Sequence, residues 1–529
     1  MKPLIQLRKT IPLIYVAIVL GSVGVLSAVP AVVPPPDGGY PNFTTAEGQN
    51  ALKNLTTGAA NTAVGWYSLF TDTSGSFNTG VGAGTLVLNT GDDNTATGVA
   101  ALLLNTTGAD NTANGTATLV NNSTGGNNTA VGSFALNSNS TAFNNTAVGA
   151  GALRTNTTGQ SNTATGVGAL ISNIDGGGNT ATGVFALSAN DHGALNTATG
   201  LAALQSNTTG GNNTAMGAGA LNFNTIGDGN TAFGHQALSN NIDGSDNTAN
   251  GNQALLSNTT GVENTANGEQ ALSSNSTGGA NTANGFEALF SNTTGNANTA
   301  IGSAALSNNN TGSGNIGLGQ GAGLNVTTAN SVICIGTVGA NVNDSCFIGH
   351  IRGVTTAQNN AIPVFIDSLG QLGTVSSSRR FKKEIKPMDK ASDAILALKP
   401  VTFHYKSDNT GTPQFGLIAE EVAEANPDLV VRDENSQIYT VRYDAVNAML
   451  LNEFLKEHRK NEEQGRDIQE QKATIARQQK QIDALTAGLQ KVSAQLAAAS
   501  PSDGGLEASK FATGRTRRGG PAPQVVNNP

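Results

Sequence analysis

Polar and apolar positions follow three successive rhythms along this chain. From Asn61 to Asn298 the segment Asn-Thr-Ala-x-Gly returns every 17 residues, except between Asn78 and Asn94, where the step is 16, and a degenerate copy follows at Asn315. The unit is close to N-T-A-x-G-x-x-A-L-x-x-N-T-T-G-x-x, with a weaker copy starting at Thr44. A fixed short period predicts stacked coils that bury their apolar faces only against neighbours. Seventeen residues are too few for a helix pair, and Gly, Asn and Thr favour turns over helices. The unit therefore reads as two short strands and two turns, one coil of a parallel β-roll or β-helix. Ala at the third position and Leu at the ninth face a thin interior. Gly at the fifth and fifteenth supply turns at positive φ, and the leading Asn stacks in an amide ladder. So little apolar surface per coil makes trimerisation the natural remedy, since three chains packed together bury a second face.

Past Ser331 the period breaks, while short apolar runs persist at Val332–Ile335, Phe347-Ile348 and Val364–Ile366, which suggests a neck. The next segment alternates in an α+β manner. A helix is expected over Asp389–Leu398, stopped by Pro400, then a strand through Tyr405. A strand at Phe415–Ile418 leads into a short helix ended by Pro427, with further strands near Val430 and at Ile438–Val441. From Asp444 to about Ala499 the pattern is helical. Ile468, Ile475, Ile482, Leu489 and Leu496 repeat every seven residues, with Gln471, Gln478, Leu485, Val492 and Ala499 at the second seam position. That is a coiled-coil seam compatible with three strands. The fold class is a mainly β repeat solenoid, trimeric, followed by a small α+β domain and a C-terminal coiled coil.

Composition sharpens this picture. With 66 glycines, 12% charged and 5% aromatic residues, the chain cannot build thick globular cores. Residues 1–375 hold 6 Lys/Arg and 16 Asp/Glu, whereas residues 376–529 hold 22 and 20. Between 61 and 375 Arg154 and Arg352 are the only Lys or Arg, which excludes nucleic acid as a partner of the array. Lys2, Arg8 and Lys9 precede an apolar run from Ile11 to Val29, and small residues follow, with Ala28 or Ala31 as cleavage points. This is an export signal, or an uncleaved anchor that would be the chain's only membrane contact. Pro30 and the Pro34-Pro35-Pro36 tract fit an exposed processing site. Cys334 and Cys346 either pair in an oxidising compartment or are two small apolar residues on short strands. The expected boundaries are signal or anchor 1–31, linker 32–43, solenoid 44–330, neck 331–376, C-terminal domain 377–465, coiled coil 466–499 and disordered tail 500–529.

At the junction of array and charged segment stands Ser377-Ser378-Arg379-Arg380-Phe381-Lys382-Lys383-Glu384-Ile385. With Pro413-Gln414-Phe415-Gly416-Leu417-Ile418-Ala419-Glu420-Glu421-Val422 and Tyr439-Thr440-Val441-Arg442-Tyr443, it resembles the endosialidase-type intramolecular chaperone domain that ends many phage tail spikes and fibres. The resemblance covers about 377–465. It implies a domain that folds a trimeric β-fibre and then releases itself by cutting between Ser376 and Ser377, with Ser377 as nucleophile and Lys382 as base. Ser378 stands where that family carries Asp. A serine hydroxyl needs a nearby base, and lysine serves once desolvation lowers its pKa. The array loosely resembles the head repeats of trimeric autotransporter adhesins, left-handed parallel β-rolls with shorter units.

These readings combine into an exported, homotrimeric, adhesin-like fibre at the cell surface or outside the cell. Its C-terminal domain is a single-turnover autocatalytic serine endopeptidase, without cofactor or metal, that does not act on other proteins. The alternative is a fibre that never cuts itself, structural or glycan-binding, with a C-terminal domain that only trimerises. Threonine rows on a flat β-face suit a surface glycan or another ligand, although the same residues also read as solvated turns. The fourth position of the unit runs in blocks, Thr165, Thr182 and Thr199, then Asn250, Asn267 and Asn284.

Overall fold

The computed structural model describes residues 41–499 apart from 359, 368, 369 and 434. The expected export segment, most of the linker and the C-terminal tail lie outside the described residues. The chain divides into two units, Met1–Thr355 and Thr356–Pro529. Among the described residues no helix is long and apolar enough to cross a membrane.

The first unit is a parallel β-solenoid. Each coil contributes one three-residue strand, usually Thr-Ala-x, and nineteen strands from β1 (Thr45–Glu47) to β19 (Cys346–Ile348) form one sheet. Successive strands pair in parallel with equivalent residues facing, as in Thr197↔Thr214 and Ala198↔Ala215. At about 4.8 Å per coil the stack is on the order of 90 Å long. The expected second strand of each coil is absent, because left-handed residues interrupt the extended backbone. In one coil Gly183, Phe185, Leu187 and Leu195 have φ of 139°, 57°, 51° and 59°. A left-handed leucine costs about 1–2 kcal/mol, and its complete burial offsets this by roughly 1.5–3 kcal/mol.

The sheet also continues past the expected end of the array at 330. Strands β18 (Ile333–Ile335) and β19 extend it from β17 (Ile316–Leu318) in the same parallel register. Cys334 takes the inward position of the repeat alanine and is fully buried. Cys346 lies opposite Ile333 and is exposed, one place out of register with Cys334. Adjacent strand positions face opposite sides, so both thiols are free and, of the two readings, the pairing is not realised. Burial pushes the Cys334 thiol up, with a smaller contribution from Cys346.

The interior holds more than the third and ninth positions promised. Ala at the eighth is buried too, as at Ala186 and Ala203, and two rows of asparagine are buried beside the aliphatic core. The leading row behaves as expected: Asn196 donates its backbone N–H to Asn179 Oδ1 at 2.9 Å, and Asn179 Nδ2 reaches the Gly193 carbonyl at 2.8 Å. A second row runs through the twelfth position, where Asn190 Nδ2 donates to Asn173 Oδ1 at 2.8 Å and to the same Gly193 carbonyl at 2.9 Å. Gly193 is the fifteenth residue of its coil, and it corrects the expectation of positive φ there. It is glycine because a Cβ would lie 2.4 Å from Asn190 Oδ1 and 2.5 Å from the Gly210 carbonyl. The asparagines of the recurring Asn-Thr-Thr segments are thus interior hydrogen-bonding groups, and a fully buried amide offers no acceptor for glycosylation.

Asp72 is the exception in the second row, where the following coils through Asn309 carry Asn. It is fully buried. Its Oδ1 accepts from the Gly75 N–H at 2.8 Å, while Oδ2 has no hydrogen-bond partner. Burial pushes its carboxyl up to about 6, against the smaller opposing pull of the Gly75 N–H and the Asn89 amide. The folded pKa lies above the unfolded value of 3.8. The folded chain therefore keeps a proton that the unfolded chain releases, and stability falls as pH rises from about 4 to 6. Asp72→Asn is expected to remove this loss. Its melting transition should match wild type at pH 4 and exceed it at pH 7, by on the order of 1–2 kcal/mol. A gap that is equal at both pH values would contradict the assignment.

The second unit contains a hairpin of β20 (Phe365–Ile366) and β21 (Leu372–Gly373), a 3₁₀ turn over Arg379–Phe381 and a 3₁₀ helix over Asp389–Ala397. A hairpin of β22 (Val401–Phe403) and β23 (Gln414–Gly416) follows, then α1 (Ala419–Ala425). A hairpin of β24 (Val430–Arg432) and β25 (Ile438–Val441) leads into the long helix α2 (Tyr443–Ala498). The order of elements is the expected one, but the strand expected at Phe415–Ile418 runs over Gln414–Gly416, the strand expected through Tyr405 ends at Phe403, and 389–397 winds as a 3₁₀ rather than an α-helix.

Candidate functional site

The C-terminal unit closes around Val422, Leu429, Val430, Val441 and Met449, with Met388, Ile395, Leu398 and Leu417 packed against them. This core joins the second and third quoted motifs. The Leu417 N–H donates to the Tyr443 hydroxyl at 3.1 Å, and the Arg442 N–H donates to the Leu429 carbonyl at 2.8 Å. Tyr443 sits at the start of α2, so the hydroxyl fixes the end of β23 against the root of the long helix.

Beside the core lies a polar cluster that no sequence pattern signals, because its members are about sixty residues apart. Ser392 is fully buried on the 3₁₀ helix. Its hydroxyl donates to the Glu453 carboxylate and accepts from Asn452 Nδ2 at 2.7 Å and Lys456 Nζ at 3.1 Å. Lys456 also bridges Asp393 at 2.7 Å and Glu453 at 2.6 Å. A serine beside a lysine suggests a nucleophile and base, but the charges exclude it. Asp393, then Glu453, hold the Lys456 ammonium above its usual pKa. Lys456, then Ser392, hold the Glu453 carboxyl below its own. A lysine stabilised as a cation accepts no proton, so the cluster is a clasp that ties 389–397 to α2.

The first motif behaves differently. Residues 376–387 are all exposed, and Met388 is the first half-buried position after them. Ser378 is extended at φ −62°, ψ 136°, and the single turn Arg379–Phe381 leads to Lys382, whose N–H donates to the Arg379 carbonyl at 3.1 Å. The Ser378 N–H donates to Ser376 Oγ at 3.3 Å, and the Arg380 guanidinium lies 4.6 Å from the Phe381 ring centre. Among the described residues no hydrogen bond joins Ser377 to Lys382. One chain thus places the two residues within a single turn of each other but neither joins nor desolvates them.

The same unit exposes large apolar side chains that a finished core would cover. Phe415 is 80% and Tyr439 76% exposed, one on each hairpin, and both stand inside the quoted motifs. Along α2 the seam residues Ile468, Ile475, Ile482, Leu489 and Leu496 are all exposed.

No curated protein and no solved structure matches the chain. What does match is residues 377–431, which fit the sequence model of the family described as chaperone of endosialidase: the chain joins a long parallel β-solenoid to a segment similar to that chaperone domain.

Proposed function

We propose that this chain is an exported homotrimeric fibre whose C-terminal domain gathers three copies, sets their register and then cuts itself off before Ser377. The observation that carries the reading is the contrast between the units. The solenoid buries its aliphatic and amide rows within one chain, whereas the C-terminal unit leaves its seam and its motif aromatics exposed. Apolar seams of this kind are satisfied by other copies of the same helix. Association would also supply what the cutting segment lacks, a dry environment in which a lysine at 382 is usable as a base. Cutting then makes assembly one-way, because the released fibre loses the element that brought its chains together. The segment 1–31 would place the fibre outside the cytoplasm.

Full-length Ser377→Ala protein, which stays whole under this reading, is expected to sediment as a trimer. Adding Ile475→Asp and Ile482→Asp puts charges into the seam and should return it to a monomer. A parent protein that already sediments as a monomer at micromolar concentration would sink the trimer.

A further inference from the structure

The carboxamide block at the fourth position of the repeat belongs to a larger surface feature. Between Asn61 and Gly229, positions four, six and seven of each coil are aliphatic, small, hydroxylated or aromatic, with Asn114 as the one carboxamide. The next four coils change character together. Their fourth positions are Phe233, Asn250, Asn267 and Asn284, their sixth His235, Asn252, Glu269 and Phe286, and their seventh Gln236, Gln253, Gln270 and Glu287. The fourth and sixth positions are exposed and the seventh half-buried. Phe233 and Phe286 close the two ends at 40% and 47% exposure.

The side chains are held in rows by one another. Gln270 Nε2 donates to Gln253 Oε1 at 3.2 Å, and Gln253 Nε2 to Gln236 Oε1 at 3.1 Å. Asn250 and Asn267 donate to the next row's Oδ1 at 3.3 and 3.4 Å, and Asn252 donates to Glu269 Oε1 at 3.4 Å. His235 Nδ1 lies 3.3 Å from Asn252 Oδ1. Most of these are long contacts on a wet surface, of the weak kind. The register is already set by the two buried asparagine rows and the strand pairing, so folding does not require this patch. Gln236 and Asn284 only accept within their rows and the other carboxamides each donate one N–H, so every one keeps at least one N–H and a carbonyl lone pair for a ligand.

We infer that this face, from Phe233 to Phe286, binds an extended, uncharged oligosaccharide running along the solenoid axis. Vicinal hydroxyls donate and accept at once, as carboxamides do, and a pyranose presents an apolar C–H face that suits an exposed aromatic ring. Rows about 4.8 Å apart match the length of one pyranose unit in an extended chain, so successive sugars meet equivalent groups. Charge selects among glycans. The patch holds Glu269, Glu287 and His235 but no Lys or Arg, and neither Lys nor Arg occurs between Arg154 and Arg352. Sulfated, sialylated and uronic-acid chains are therefore disfavoured, as are phosphates. The site stands whether or not the chain cuts itself.

The test uses the full-length protein on immobilised neutral hexose and N-acetylhexosamine chains of increasing length, beside sulfated and sialylated chains. Binding to a neutral series is expected to strengthen with length until the ligand spans the four coils. The double variant Gln253→Ala, Asn267→Ala and the single variant Phe286→Ala should each weaken it at least about tenfold, with unchanged melting. A control, Thr180→Ala on a distant coil, should bind as wild type. Failure to bind any neutral chain, preference for anionic chains, or binding that survives both patch variants would overturn the site. If a patch variant melts early, Asn267→Gln keeps the carboxamide but displaces it, and a loss of binding with normal melting then decides in favour.

Discussion

Expressed whole, the wild-type chain is expected to yield two fragments, the second beginning at Ser377, while Ser377→Ala stays intact. In the proposed route Ser377 Oγ would attack the Ser376 carbonyl, the carbon–nitrogen bond to Ser377 would break, and an ester to Oγ would form. The hydroxyl proton passes by way of Lys382 to the departing nitrogen, which becomes the new amino terminus. Water then hydrolyses the ester, leaving a carboxylate on Ser376 and restoring the Ser377 hydroxyl. Removing the nucleophile abolishes this route. Lys382→Met should slow it by about 10²–10⁴-fold, the usual worth of a positioned base. Ser378→Ala should leave the cut in place, because Ser378 neither attacks nor lies at the scissile bond. Intact mass reads all four proteins at once, and a fragment beginning at Ser378 instead would move the nucleophile by one residue.

The reaction should also depend on association. The exposed segment 376–387 gives a lone chain no means to desolvate Lys382, so Ile475→Asp with Ile482→Asp in an otherwise wild-type chain should leave it uncut. A monomeric variant that cuts at the wild-type rate would show that the site is complete in one chain. The clasp at Ser392 gives this dependence a physical route, since Asn452, Glu453 and Lys456 are on the same helix as the seam.

How far the sequence could be read follows from which contacts are local. The 17-residue period announced a stacked solenoid, and the heptad from Ile468 to Leu496 announced a helix, because each pattern repeats within its own element. The second asparagine row escaped notice because Asn-Thr-Thr-Gly has the composition of a solvated turn, and burial of a polar turn residue leaves no mark in hydropathy. Its constancy was the available signal, with Asp72 as the departure from it. The Ser392 clasp joins segments far apart in the chain and no period reveals it. The pairing of Cys334 with Cys346 failed on register, since a two-strand offset of one residue sets them on opposite faces. The pairing of Ser377 with Lys382 rests on family resemblance alone, and in one chain the segment that carries both is exposed with nothing packed over it to mark it as a site.

The second large effect is expected inside the solenoid, at the carbonyl where the two asparagine rows meet. Asn190→Ala removes two donated bonds, to Asn173 Oδ1 and the Gly193 carbonyl, and the bond accepted from Asn207 Nδ2 at 2.8 Å. Asn173 Oδ1 and one Asn207 N–H are left buried and unpaired, at about 1–3 kcal/mol each, so a loss on the order of 2–6 kcal/mol follows. Gly193→Ala should be worse, because its Cβ would collide with Asn190 Oδ1 and the Gly210 carbonyl, and neither can move without breaking its row. In a stack where each coil touches only its neighbours, such damage acts at one interface instead of across the whole. The melting transition should therefore split in two, and protease should enter near 190–195 before it attacks the distant coils. Thr180→Ala, on the outward side of the strand, should cost less than about 0.5 kcal/mol. If Asn190→Ala instead melts with wild type, the buried amides are passive filling and the aliphatic row alone holds the coils together.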